Sequence, residues 1–171
     1  MDPQQLQSFV SELPNFTFQA TPLLILLATG LILMLLDAFK VRGNLSMVAG
    51  IGMAASAIWA WAFKVEGASL IFNGMMESGG IAPLVHVFLC ISGLLTLFFL
   101  KDYLHRQDKP IPDVYSLLVF AVLGMSLMAN ANDLMMIFIG LETMSMCLYI
   151  FAALYKQDKK SNESGLKYFL L

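Results

Sequence analysis

The chain has 171 residues, 58% of them hydrophobic and 13% charged, with a mean hydropathy of +0.75. Soluble domains carry about 25% charged residues, so this composition excludes that class and points to an integral membrane protein. Net charge is −2 and the basic residues are scattered, which argues against a nucleic-acid surface.

The N-terminal stretch MDPQQLQSFVSELPNFTF carries Asp2 and Glu12 where a secretory signal has cations. The first apolar run is therefore read as a retained anchor. A hydrocarbon layer about 30 Å thick needs roughly 20 helical residues to cross. Runs at residues 16–36, 45–63, 81–100 and 114–131 meet that need without a charge. A fifth run, 134–155, has the length and contains Glu142, and a sixth begins near Leu166. The expected architecture is all-α and polytopic, a single membrane region of five full spans and the start of a sixth. Asn132 and Asp133 alone separate the fourth and fifth runs, which predicts a tight antiparallel hairpin with Asp133 capping the fifth helix. The segment KVEGASLIFNGMMESGG between the second and third runs holds four glycines and reads as irregular, and KQDKKSNESG reads as a polar, mobile loop.

Loop cations give the orientation, because cytoplasmic loops are enriched in Lys and Arg. Lys40, Arg42, Lys101, Arg106, Lys109, Lys156, Lys159 and Lys160 fall on one side, and Lys64 alone falls on the other. The expected orientation thus places the N-terminus outside.

Glu142 is the one charged residue of the fifth run. It lies about 12 Å from the outer end and about 20 Å from Tyr155 along the helix. Charge at that depth costs about 2.5–3.5 kcal/mol unless it faces water, a partner or the bundle interior. A protonated acid bonded to a neighbouring helix would explain it as structural glue, although an amide or serine would serve at lower cost. Desolvation favours the neutral carboxyl and a nearby lysine the charged one, which suits such a pair to loading and releasing a proton. Lys167, in GLKYFLL, reads as an interfacial lysine lying well below Glu142 in depth, so a proton passing between them needs water or another side chain. His86 and Cys90 lie four residues apart on one face of the third run, but a metal site needs more ligands than these. A buried neutral histidine bonded to another helix is the plainer reading, with proton relay a minor alternative.

Other features have plainer readings. Cys90 and Cys147 sit in apolar runs without CxxC or Cys/His spacing and read as small hydrophobes. Asp37 reads as an interfacial carboxylate beside Lys40 and Arg42. Met135, Met136, Met144 and Met146 read as adaptable packing around Glu142. The run GIGMAASA at 50–57 offers small residues for close helix packing. Nucleotide-binding glycine motifs and a catalytic triad pattern are absent from the sequence.

Residues 123–171 resemble subunit N of the proton-pumping NADH-quinone oxidoreductases, the antiporter-like membrane subunit of respiratory complex I. The matching positions are Gly124-Met125, Ala129 to Leu134, Gly140-Leu141-Glu142, Met144-Ser145, Leu148-Tyr149 and Leu166 to Leu171. Thr143 and Ser164-Gly165 depart from the family's Leu and Ala-Ala. The resemblance implies an antiporter-like fold of about 14 spans in two inverted repeats, with Glu142 and Lys167 as proton-relay residues; His86 remains a lesser relay candidate on its own burial alone. It also implies a longer family member, of which this chain is an N-terminal portion. The chain itself is expected to hold no cofactor and no catalytic redox site. Quinone, NADH, FMN and iron-sulfur clusters are expected on partner subunits. Expected partners are the other membrane and peripheral subunits, including sister antiporter-like subunits, and the lipid of a bacterial inner membrane. The alternatives are a cation/proton antiporter subunit and a truncated, non-conducting structural subunit.

Overall fold

A computed structural model describes residues 3–40, 43–63, 67, 69–106, 113–155 and 159–170, with backbone alone for 3–17, 105 and 106. Arg42, Lys64, Lys109 and Lys156 lie outside the described residues, as does the side chain of Arg106. Six helices and one short hairpin follow in the order α1 (Pro3–Ala38), α2 (Leu45–Ala62), β1 (Ser69–Ile71), β2 (Met76–Ser78), α3 (Ala82–Arg106), α4 (Asp113–Ala129), α5 (Leu134–Ala152) and α6 (Lys159–Leu170).

Four of these helices are long and apolar enough to cross a membrane: Phe18–Ala38 within α1, α2, Ala82–Leu104 within α3, and α5. Helix α4 is apolar but shorter, at 17 residues. The molecule is thus a multi-pass, all-α membrane protein. Helix α1 starts well before its apolar run. Pro3 stands at its first position, where the missing N–H is no loss, and Gln, Leu and Glu are good helix formers.

Successive helices run antiparallel. In α1 and α2, Ser56 reaches Pro22 and Gly52 lies against Thr29. A Cβ at Gly52 would collide with the Thr29 side chain, so the small-residue run of α2 does permit the close packing expected of it. Gly93 of α3 faces Val122 of α4 and Met53 of α2 in the same manner. The core gathers Leu26 and Leu33 of α1, Ala49 and Met53 of α2, Cys90 and Leu97 of α3, and Leu118, Val119, Val122 and Leu123 of α4. Helix α4 is the central post of this cluster. Cys90 and Cys147 are buried free thiols, as their apolar settings suggested.

The glycine-rich segment expected to be irregular instead contains an antiparallel hairpin that pairs Ser69 with Ser78, Leu70 with Glu77 and Ile71 with Met76. Its turn is left-handed at Phe72, Asn73 and Gly74, a backbone state that Gly and Asn tolerate best. Tertiary hydrogen bonds hold it in place. Glu77 N–H donates to the Asn130 carbonyl at 2.8 Å, and Asn132 N–H donates to the Met75 carbonyl at 2.9 Å. Asn132 Nδ2 also donates to the Gly74 carbonyl at 2.8 Å. The hairpin is thereby stitched onto the α4–α5 turn. Lys40, Lys101, Lys159 and Lys160 belong to the opposite end of the bundle, where α1 and α3 end and α6 begins.

Two further expectations change at that turn and beyond it. Asp133 does occupy the N-cap of α5, with φ −123° and ψ 148°, but its side chain makes no cap hydrogen bond. The stretch expected to be a loop as far as Leu166 is helical from Lys159. Lysine and glutamate are helix formers, and Glu163 and Lys167 pair one turn apart. Ser161 fixes the start of α6 by donating to the Ala152 carbonyl at 2.9 Å and accepting from Tyr155 N–H at 3.2 Å.

Candidate functional site: the α4–α5 pair and its carboxylate

Helix α5 approaches α4 through glycine. A Cβ at Gly124 would lie 2.7 Å from the Gly140 carbonyl oxygen and the Met144 nitrogen, and one at Gly140 would lie 2.7 Å from Met128 Cγ. The two backbones therefore touch, and Gly140, Met144 and Cys147 form the face of α5 turned to α4. Glu142 is two residues from Gly140, about 200° around the helix. It therefore points away from α4, on the face that carries Tyr149 seven residues later. Glu142 is half-buried, and no hydrogen bond or ion pair joins it to another described residue. Thr143 beside it turns inward on its own helix, donating to the Ile139 carbonyl at 2.8 Å.

Helix α6 packs on the far end of that face. Tyr149 meets Tyr168 and Phe169 with ring centroids 6.0 and 5.8 Å apart, and Gly165 lies over Ala153. Lys167 therefore stands level with Tyr149 and Ile150, roughly 12 Å along the axis from Glu142. Its ammonium is engaged by Glu163 Oε1 at 2.6 Å, with both side chains about two-thirds exposed. Glu163 was not singled out in the sequence, although its four-residue spacing from Lys167 is the ordinary signal of a helical ion pair.

His86 lies elsewhere, near the hairpin end, between α1, α2 and α3. It is 2% exposed. Its Nε2 is 2.8 Å from Ser56 Oγ and 3.6 Å from Cys90 Sγ, which gives it the bond to another helix that its burial required. The three relay candidates are thus not brought into one cluster. Among the described residues no group of three His, Cys, Asp or Glu gathers as metal ligands would.

Asp37, at the end of α1 and expected beside Lys40 and Arg42, has a further neighbour that the sequence did not announce, while Arg42 lies outside the described residues. Its carboxyl lies within hydrogen-bonding reach of Asp113 in the first turn of α4, because α1 and α4 are antiparallel neighbours whose ends meet there. At the same end Tyr155 stands beside Tyr103, and burial together with that neighbour pushes its phenol above the usual tyrosine range.

A bundle of apolar helices packed through glycine, with a carboxylate on a helix long and apolar enough to cross a membrane, defines a multi-pass helical membrane protein. The sequence makes the relationship more particular. Residues 131–171, which span α5 and α6, match the family described as NADH:quinone oxidoreductase/Mrp antiporter, TM. The chain is 35% identical over 164 residues to NADH-quinone oxidoreductase subunit N 1 of Solibacter usitatus, covering 92% of this chain and 33% of that protein. It is 34% identical over 145 residues to the subunit N of Salinibacter ruber, covering 83% and 29%. With subunit N 1 of Chloroherpeton thalassium the identity is 41% over 100 residues, covering 58% and 21%. The chain is thus a relative of the subunit N proteins and spans about a third of the length of the curated relatives it matches.

Proposed function

We propose that this chain forms part of the membrane arm of a NADH-quinone oxidoreductase and contributes to proton translocation coupled to quinone reduction. The observation that carries this reading is Glu142. It stands inside α5, on the face away from α4, within the segment that matches the oxidoreductase/antiporter family. An ionised carboxylate at such depth costs about 2.5–3.5 kcal/mol. A cation or a file of water brought against that open face lowers the cost, so the charge state of Glu142 follows what approaches it. Charge changes driven by quinone chemistry on partner subunits would load and unload it in this way.

Lys167 and His86 are the secondary relay candidates. In this reading all five helices α1 to α5 cross the membrane, the N-terminus is outside, and the hairpin lies on the outer face of a bacterial inner membrane. NADH, FMN, iron-sulfur clusters and quinone are held by other subunits, and this chain supplies no redox site. A second reading, a cation/proton antiporter subunit, is favoured by the family match, whose description covers antiporters as well.

The test is Glu142→Gln in the full-length assembled complex, measured in vesicles. Loss of the proton gradient with assembly intact supports the relay. Unchanged gradient formation, with quinone reductase activity and assembly also intact, sinks it and leaves Glu142 a structural residue. Sodium-dependent transport in vesicles lacking any quinone reductase would favour the antiporter.

A further inference from the structure

Beneath the hairpin lies a partly enclosed cavity of about 40 Å³, lined among others by Pro22, Trp59, Ser78, His86 and Asn130. The polar groups around it are constrained one by one. A serine hydroxyl carries a single hydrogen, and that of Ser56 is directed at the Pro22 carbonyl, 2.7 Å away. Ser56 Oγ can therefore only accept from His86, 2.8 Å away, which fixes neutral His86 as the tautomer protonated on Nε2. Its Nδ1 is then a bare acceptor, and it has no hydrogen-bond partner among the described residues although His86 is 98% removed from solvent. Trp59 Nε1 can only donate, and it too is buried with no partner among the described residues. The side chains that carry this orphaned acceptor and this orphaned donor thus both line the cavity.

Buried polar groups are satisfied by protein or by ordered water, since leaving them unpaired costs free energy. A bare cation would be repelled by the indole N–H and an anion by the imidazole lone pair. Water meets both demands, and a space of about 10–15 Å³ is enough to hold one molecule. We propose that this cavity is a hydration site in which a bound water accepts the Trp59 Nε1 hydrogen and donates to His86 Nδ1. The Nε2 side of the ring is closed by Ser56 and Pro22. Among the described residues, the other polar side chains lining the cavity are Gln19, Ser78 and Asn130, so a polar route to the imidazole runs through this water toward them. This inference stands apart from the relay reading of Glu142.

The full 171-residue chain in hydrated lipid bilayers, ¹⁵N-labelled in histidine and tryptophan, provides the test by solid-state NMR. His105→Gln and Trp61→Phe remove the only other residues of each type. Expected are the Nε2-protonated neutral tautomer of His86 and magnetisation transfer from water to both the His86 ring and the Trp59 indole N–H. Trp59→Phe should then abolish most of the transfer to His86 while leaving the tautomer unchanged. A tautomer protonated on Nδ1, or no transfer from water to either ring in the chain that keeps Trp59, overturns the proposal whether or not the phenylalanine variant folds. Undiminished transfer to His86 in a folded Trp59→Phe protein overturns the bridging role.

Discussion

Helices α4 and α5 are neighbours of similar length and nearly equal greasiness, yet the bundle treats them differently. Helix α4 buries Val114, Leu118, Val119, Ala121, Val122, Leu123, Gly124 and Ser126, whereas α5 buries Gly140 and Cys147. In water such a contrast would be written in the pattern of polar and apolar residues. In a membrane both faces of a helix can be apolar, so hydropathy does not distinguish a post from a flank. Close approach does, because glycine marks where backbone meets backbone. Helix α5 spends its glycine on α4 and keeps its carboxylate on the other side.

That contrast can be broken most forcefully at the glycine contact. Gly124→Leu in the 171-residue chain should push α5 off α4 and cost about 3 kcal/mol or more, since the obstructing atoms are backbone and cannot step aside. Unfolding in mixed micelles measures it, and an unchanged midpoint would mean the helices do not touch as described. Next in size, Leu118→Ala in the α4 core should cost about 2–3 kcal/mol, while Leu141→Ala beside Glu142 should cost less than about 0.5 kcal/mol. Equal costs would erase the distinction between the two helices. A photoreactive apolar probe dissolved in the lipid tails sharpens it further. It should label Ile137, Phe138 and Leu141, which are exposed, and spare Val119 and Val122, which are not. Smallest is Glu163→Gln, which removes the Lys167 ion pair and should change stability by about 0.3 kcal/mol, because an exposed one-turn pair contributes little.

Much of this arrangement could be read from residue order alone. Span-length apolar runs located α1 to α5, because the thickness of hydrocarbon sets a length that few soluble segments reach by chance. Glu142 stood out for the same reason, as a charge where charge is costly. What escaped was whatever depends on a partner. The pair Asn73-Gly74 is a turn signal of the hairpin kind, but the strands beside it are three residues each. They persist because the α4–α5 turn completes their hydrogen bonding. The start of α6 was hidden because its first turns are polar and hydropathy does not register helix propensity. Ser56 read as one more small residue in a packing stripe. Only the approach of α1 and α3 turns it into the residue that fixes the proton of His86. Likewise, nothing local to Asp37 announces Asp113, which is brought to it by the antiparallel packing of α1 and α4.

The stitching of the hairpin to the α4–α5 turn anchors α5 at that end. There the loop joining α2 to α3 and the loop joining α4 to α5 share hydrogen bonds, so the two helix pairs are held to one another. At the other end α5 is tied to α6 by Ser161 and aromatic contacts, and its Phe151 packs against the central core. Between those two anchors the glycine contact with α4 clamps the middle of the helix, so α5 is a fixed rail rather than a free arm. Glu142 sits about 12 Å along that rail from the hairpin end, and whatever changes its surroundings must come to it.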